Sequence, residues 1–216
     1  MSASGGQFLG RIVAFEAADG LPTHGDGFSG EWSDMLGTFD QGSGVGALQW
    51  DDYRASGFKM FFVRHDQPDV IYQKYQFSHE WDRSSVRLHA HVIPVATWVP
   101  GPATKDVYWE IAYAWSDDGQ LVASPAGWTT VNATLTLTPS DQYKRKYCAL
   151  ATIAPTGNSK ESSTLLVRVT RLGTSGSDTY ADNKTDPGLP QANLALEYFD
   201  VHYQKNKPGT VNEAPP

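Results

Sequence analysis

The sequence is poor in the features that mark secreted, membrane-spanning or redox-active proteins. It has one cysteine, Cys148, so it cannot form an internal disulfide, which fits synthesis in a reducing cytosol. No apolar run approaches the roughly 18 residues of a membrane-spanning helix, and residues 1–7 lack the basic and apolar regions of a signal peptide. We therefore expect a soluble protein without a membrane partner, in which Cys148 is a small buried hydrophobic residue.

The sequence also lacks a nucleic-acid signature and a catalytic one. The 17 Lys and Arg residues are outnumbered by 24 Asp and Glu residues, for a net charge of -7, and they form no block that could follow a phosphate backbone. Gly-x-Ser-x-Gly, Walker and His-Glu-x-x-His motifs are absent. Carboxylates that are adjacent in sequence, such as Asp117 and Asp118, point apart in an extended chain and are interpreted as turn residues. We expect no nucleic-acid partner, no cofactor and no enzymatic activity.

What the sequence does contain is a series of short stretches in which apolar and polar residues alternate. This period of two is typical of strands that are half-buried in a sheet. Residues 86–92 show it most clearly, because four apolar residues alternate with Arg87, His89 and His91. The pattern predicts eight strands, at residues 58–64, 69–78, 86–92, 107–115, 131–138, 147–153, 163–172 and 194–203.

Eight strands joined by loops of uneven length favour an all-β fold, a single eight-stranded antiparallel jelly-roll sandwich, over a regular barrel. The chain is long enough for one such domain. We assign residues 1–46 to a Gly-rich N-terminal arm with loops, 47–204 to the sandwich and 205–216 to an extended C-terminal tail. In the last strand the alternation changes phase after Tyr198, which predicts a β-bulge or burial on both faces.

His89 and His91, at i and i+2 on one strand face, form the sharpest local motif. Their spacing of roughly 6–7 Å is compatible with metal coordination, and metal-binding cupins carry a similar His-x-His. In cupins a Glu follows a few residues later, whereas residues 92–97 contain no carboxylate, and Glu110 and His202 could contribute only from other strands. We therefore expect no metal site. The alternative is a cupin-like metalloenzyme that uses His89 and His91, with Glu110 and His202 as further ligands.

A second candidate cation site lies in the Gly- and Pro-rich segment 173–190. Clustered loop oxygens are the ligands that calcium prefers, and they could come from Asp178, Asp182, Asn183 and Asp186. A solvated loop is the favoured interpretation.

Seven Trp and ten Tyr residues exceed what one eight-stranded core needs, and several of the Trp residues fall in predicted turns or at strand ends. Exposed aromatic side chains mark protein interfaces or platforms on which sugars stack. The other interpretation is that they cap the open ends of the sandwich. The candidate interface residues are Trp32, Trp50, His79, Trp81, Arg87, His89, His91, Trp98 and Trp128.

Several strand segments resemble virion proteins of tailed bacteriophages. They span roughly residues 70 to 205 and comprise Leu88-His-Ala-His-Val92, Tyr108-Trp-Glu-Ile-Ala-Tyr-Ala-Trp115, Ser163-Thr-Leu-Leu-Val-Arg-Val169 leading to Arg171-Leu-Gly173, Asp178-Thr-Tyr180, and Leu196-Glu-Tyr-Phe-Asp-Val-His-Tyr203. The resemblance implies a jelly-roll assembly unit of the head, neck or tail that acts without catalysis.

We therefore expect a non-enzymatic structural protein of a tailed-phage virion, assembled in the host cytoplasm, that serves in capsid decoration or cement, in the neck or in tail attachment. Its partners would be other virion proteins of the capsid, neck or tail, and copies of itself. We expect a trimer, because the apolar residues of the arm and the surplus aromatics need more cover than one sandwich offers. The alternatives are an adhesin-like glycan-binding β-sandwich with two or three coplanar exposed rings, and the cupin-like metalloenzyme.

Overall fold

The computed structural model describes residues 31–41, 48–65, 68–78, 80–95, 102–117, 121, 124, 127–156, 162–180 and 194–205. These residues form antiparallel strands and two short 3-10 helices, Tyr53–Ala55 and Pro139–Asp141. None of their helices is long and apolar enough to cross a membrane. Most of the predicted arm, the tail after Lys205, and the interface candidates His79 and Trp98 lie outside the described residues.

Eleven strands occur in the described part of the chain. They are β1 (Glu31–Leu36), β2 (Thr38–Gln41), β3 (Gln49–Asp52), β4 (Lys59–Val63), β5 (Asp69–Gln76), β6 (Val86–Pro94), β7 (Lys105–Ser116), β8 (Thr129–Leu137), β9 (Lys146–Ile153), β10 (Thr164–Arg171) and β11 (Leu194–Lys205).

The strands form two sheets that share one apolar core. Sheet 1 has the order β3-β4-β11-β6-β9, with β1 paired to β11 as well, and sheet 2 has the order β2-β5-β10-β7-β8. All pairings are antiparallel. Within the sandwich, β4-β11-β6-β9 packs on β5-β10-β7-β8, which is the interleaved order of a jelly roll with two Greek keys. The predicted all-β antiparallel jelly-roll sandwich is therefore confirmed.

The eight predicted strands correspond to β4 through β11. The structure adds β1, β2 and β3 between residues 31 and 52, a segment that the sequence analysis assigned largely to the arm and its loops. Each added strand has only four to six residues, too few to establish an alternation pattern. β1 pairs with β11, β2 with β5 and β3 with β4. The two sheets therefore contain more strands than the periodicity indicated.

β1 and β2 are almost continuous in sequence yet belong to different sheets, and Gly37 is the corner between them. β1 pairs with β11 in sheet 1, whereas β2 pairs with β5 in sheet 2. A Cβ atom at Gly37 would collide with the side-chain oxygen of Gln73 and would lie 2.7 Å from the ring of Tyr75. Both of those side chains are buried. Glycine therefore allows the crossing and determines where β1 meets β11.

The space between the sheets is filled by apolar side chains from both of them. Trp81 and Trp109 are among the largest buried side chains, and the Trp81 ring stacks on Trp115 with centroids 5.1 Å apart. Cys148 lies in this core, as expected, and burial raises the pKa of its thiol to about 12. The lone thiol therefore acts as a packing group rather than a nucleophile.

β11 is the central strand of sheet 1 and carries the predicted irregularity. Its pairing with β6 shifts register between Leu196 and Tyr198, so the predicted bulge is confirmed. Ahead of the bulge the strand is buried on both faces, since Ala195 packs in a second small cluster outside the main core. After the bulge, Asp200 and His202 face outward while the residues that alternate with them enter the core.

Arg171 and Asp178 form a buried ion pair that links the two sheets. Nε and Nη2 of Arg171 lie 2.9 and 3.0 Å from the two carboxylate oxygens of Asp178, and neither side chain is exposed. Arg171 also donates to the carbonyls of Val63 and Tyr180 at 3.1 and 2.7 Å, and Asp178 accepts from the backbone N–H of Tyr108 at 3.1 Å.

The interpretation of Asp178 as part of a solvated or calcium-binding loop is therefore wrong. Its carboxylate is committed to Arg171 inside the protein. The sequence did not reveal this because the partner arginine ends a strand that looked like any other. Asp182, Asn183 and Asp186 lie outside the described residues.

Gly37→Ala tests the corner between β1 and β2. We expect it to lower the free energy of unfolding by about 1–3 kcal/mol, the range of overpacking in a closely packed interior, because the ring of Tyr75 has no room to move away. Gly176→Ala is the matched control, since a Cβ there meets nothing within 4 Å. Equal denaturant midpoints for the two variants would contradict the assignment of Gly37 as a steric corner.

Asp178→Asn tests the buried ion pair without changing side-chain volume. The loss should be about 3–5 kcal/mol, because the guanidinium of Arg171 keeps its charge in a buried position and loses the carboxylate that pairs with it directly. Glu110→Gln is the control. Glu110 pairs with Arg168 at 3.1 Å in a partly exposed position on sheet 2, where such pairs contribute about 1 kcal/mol or less. If Asp178→Asn unfolds at the same denaturant concentration as Glu110→Gln, the ion pair does not hold the sheets together.

Candidate functional site

The jelly-roll order places β6 beside β11, and this brings two polar i, i+2 pairs together on the outer face of sheet 1. His89 lies opposite Asp200 in the ladder, and His91 lies opposite Tyr198. On the other edge of β11, β1 places Asp34 opposite His202. We call His89, Asp200, His202 and Asp34 the histidine cluster; its members come from three adjacent strands.

The distances in the histidine cluster are short and centre on two carboxylates. His202 Nε2 lies 3.0 Å from Asp200 Oδ2 and 3.1 Å from Asp34 Oδ1. His89 Nδ1 lies 3.9 Å from Asp200 Oδ1, and His91 Nε2 lies 3.4 Å from that same oxygen. His89, Asp200 and His202 each offer one potential ligand atom, and these three atoms all lie within 4.8 Å of one another.

The centre of the cluster is buried although it lies on an outer sheet face. His89 is only 2% exposed and Asp200 only 4%. The ring of Tyr147 lies 4.4 Å from the His89 ring, and the His202 ring packs edge-on against the His89 ring at 4.3 Å. His89 Nδ1 and Asp200 Oδ1 are both buried and have no hydrogen-bond partner in the described part of the chain. Burying polar atoms without such a partner lowers the stability of a native protein.

The charges of the cluster follow from burial and from the contacts between its histidines and aspartates. Burial, together with the neighbouring His202 charge, lowers the pKa of His89 to about 4, so its ring is neutral at pH 7. The hydrogen bond to Asp200 raises the pKa of His202 despite partial burial. Burial raises the pKa of Asp200, but the hydrogen bond from His202 and the nearby histidines outweigh it and leave that pKa below its usual value. Burial lowers the pKa of His91.

The arrangement corrects the predicted metal-ligand set. A carboxylate does stand beside His89 and His91, contrary to the expectation, and it is Asp200. Glu110 does not contribute, because it lies on β7 in sheet 2 and pairs with Arg168. The cluster also sits on the outside of the sandwich rather than inside a barrel, because the inward positions of β6 are occupied by core residues.

A signal for Asp200 was present in the sequence. Asp200-Val-His202 repeats the i, i+2 spacing of His89-Ala-His91, and jelly-roll topology pairs the strands that carry these two motifs. Asp34 had no such signal, because β1 was not predicted.

A groove opens where two strands share one edge of β11. β4 pairs with residues 194–196 and β1 with residues 200–205 of this edge, so the stretch 197–199 lies between them. The groove has a volume of about 470 Å³ and is mostly apolar. We call it the edge groove; it is lined by Leu36, Gly37, Trp50, Phe58, Lys59, Met60, Phe61, Leu196, Glu197, Tyr198 and Phe199.

Aromatic rings and charged groups lie side by side at the edge groove. Trp50 is 53% exposed and packs at 4.4 Å on Phe61. Glu197 pairs with Arg145 at 2.7 Å, and the Arg145 guanidinium lies 5.1 Å from the centre of the Tyr198 ring. The Tyr198 ring also stacks on His91 at 4.4 Å, and His91 contacts Asp200 of the histidine cluster.

The remaining candidate interface residues have different positions. Trp81 is buried, and its indole N–H donates to the carbonyl of Ser84, so it cannot form a contact surface. Trp32 is partly exposed and covers the guanidinium of Arg87 at 4.7 Å on the outer face of sheet 1. Trp128 is half-buried just before β8.

Comparisons with known proteins add little to this description. No protein-family model and no curated protein matches the chain. Among solved structures, the chain is similar to TmCBM61 in complex with β-1,4-galactotriose, with 9% sequence identity and a TM-score of 0.27, covering 79% of this chain and 86% of that chain. A likeness of this size carries no argument about the ligand or the activity of this chain.

Proposed function

We propose that this chain is a non-enzymatic binding module whose edge groove holds a carbohydrate. The observation that carries the proposal is the exposed face of Trp50 in an open groove that also contains Tyr198 and the charged groups of Glu197 and Lys59. Aromatic faces cover the apolar C–H side of a sugar ring, and planar charged groups beside them bond to its hydroxyls.

The charged groups at the groove already have partners before any ligand arrives. Arg145 pairs with Glu197 and lies over the Tyr198 ring, and Lys59 lies 3.4 Å from Asp52, although these side chains are partly exposed. A ligand that meets pre-ordered groups loses less side-chain entropy on binding. This favours recognition of a specific polar ligand over adventitious apolar contact.

The groove lining is suited to binding rather than to hydrolysis. Glycosidases place two carboxyl groups on either side of the bond that they break. Among the described residues, the lining contains one carboxylate, Glu197, and that group is paired with Arg145. A glycan would therefore be held without being cleaved.

A glycan array probed with the full chain, followed by calorimetric titration of the strongest ligand, tests the proposal. We expect at least one oligosaccharide to bind, and Trp50→Ala to weaken that binding about tenfold, because one stacking face of about 1.4 kcal/mol is lost.

Trp32→Ala is the matched control for this titration, since it removes a partly exposed indole from the same sheet outside the groove lining. It should bind as the unsubstituted chain does. The proposal fails if the array retains no glycan, or if both Trp variants weaken binding equally.

Assembly into a tailed-phage virion is a second candidate function, and two observations support it. The strand order is one that viral capsid proteins use. At the rim of the edge groove, Leu36 is 67% and Phe58 65% exposed, and these side chains offer no hydrogen bond to a sugar. Contiguous apolar exposure of this kind marks a protein contact, and a second copy of the chain would cover it.

Light scattering on a size-exclusion column tests this second candidate. We expect a trimer that Phe58→Lys dissociates, because a charge would be buried in the contact, and that Leu121→Lys leaves intact. Leu121 is the control because it is 96% exposed and lies outside the groove lining. A monodisperse 23.7 kDa species, together with purified virions that contain no peptide of this chain, would exclude the assembly function.

A further inference from the structure

We propose that His89, Asp200 and His202 bind one divalent transition-metal ion of the Zn²⁺ class on the outer face of sheet 1, with Asp34 completing the site. The proposal is independent of the edge groove and of either candidate function. It assigns a role to a cluster that neither the fold nor the groove requires.

The first observation is a pair of buried atoms that lack a hydrogen-bond partner among the described residues. His89 Nδ1 and Asp200 Oδ1 lie 3.9 Å apart, too far for a hydrogen bond, and the other contact of Asp200 Oδ1 is with His91 Nε2 at 3.4 Å. Both side chains are more than nine-tenths buried. A cation between them would satisfy both atoms at once, which a hydrogen bond at this separation cannot do.

The second observation is the crowding at His202 Nε2. Two carboxylate oxygens from different strands lie 3.0 and 3.1 Å from this one nitrogen. A ring nitrogen carries a single proton and can direct it at only one of the two oxygens. A metal ion accepts the nitrogen and both carboxylates as ligands, which accounts for their convergence.

The distances among His89, Asp200 and His202 approach those of tetrahedral coordination, and the exposed Asp34 reaches the site through its contact with His202. Ligand atoms about 2.0–2.1 Å from Zn²⁺ are about 3.3 Å from one another in a tetrahedron. His89 Nδ1 lies 3.9 Å from Asp200 Oδ1, and His202 Nε2 lies 3.0 Å from Asp200 Oδ2. The two distances lie on either side of that value, and because they involve different oxygens, the carboxylate would bind the ion through both oxygens or turn to offer one. The mixture of imidazole and carboxylate favours Zn²⁺ and its first-row neighbours over calcium and magnesium, which prefer oxygen ligands alone.

A metal ion at this site would link three adjacent strands of sheet 1. His89 belongs to β6, Asp200 and His202 to β11, and Asp34 to β1. β1 has β11 as its pairing partner in sheet 1, so coordination through Asp34 would hold this strand in place. The proposed role is structural, because protein side chains supply all four ligands.

The test uses the full chain, freed of metal with a chelator and then titrated with Zn²⁺ in competition with a chromophoric chelator. We expect one ion per chain, and Zn²⁺ should raise the melting temperature, since a ligand that binds the native state stabilises it. His89→Gln and His202→Gln should each weaken binding more than about a hundredfold, beyond the effect of losing an outer-shell partner. Asp34→Asn should weaken it about tenfold.

His91→Gln is the matched control, because His91 contacts the same carboxylate at 3.4 Å without being one of the proposed ligands; it should weaken binding only about tenfold, as the loss of an outer-shell partner does. If His89→Gln does not fold, the half-exposed His202→Gln decides the result. The proposal is overturned if the chain binds no Zn²⁺, if binding survives in His202→Gln, or if His91→Gln loses as much affinity as His202→Gln.

Discussion

The ion pair between Arg171 and Asp178 is the contact on which the arrangement of this sandwich depends. Two charges removed from water are tolerated only when the remaining donors and acceptors are satisfied, and here β4, β7, β10 and the following loop all contribute partners. Because β4 belongs to sheet 1 while β7 and β10 belong to sheet 2, the pair sets how the sheets meet at this end. The apolar core supplies most of the stabilising energy, but it is less specific about register.

Within the sandwich, the position of β11 determines both candidate sites. One of its edges pairs with β6, which brings Asp200 and His202 beside His89. Its other edge is divided between β4 and β1, which leaves the edge groove between them. The bulge at residues 196–198 is what turns Asp200 and His202 outward, so a single irregularity in one strand separates the polar cluster from the apolar core.

The two sites are neighbours that are joined through Tyr198. This ring lines the groove and stacks on His91, which in turn contacts Asp200 of the histidine cluster. Order imposed on the histidine cluster would therefore reach the groove through a rigid aromatic contact and through the short segment 197–200 of β11. The corner at Gly37 also contributes to both sites. It determines where β1 pairs with β11, which positions Asp34 in the cluster, and Gly37 itself lines the groove.

The sequence by itself determined the strands from β4 to β11, the sandwich class, the phase change in the last strand and the burial of Cys148. These follow from side-chain alternation and composition, which are local properties. Tertiary structure decided the rest. The edge strands β1 to β3 exist because they pair with strands that already belong to the sandwich. Trp81 is buried and Trp50 is exposed although both were equally plausible surface residues. Asp200 and Asp34 meet His202 only because three strands that are distant in sequence are adjacent in one sheet. Pairing between distant segments leaves no periodic trace in either segment, so the sequence showed the two i, i+2 motifs but not that they meet each other and Asp34.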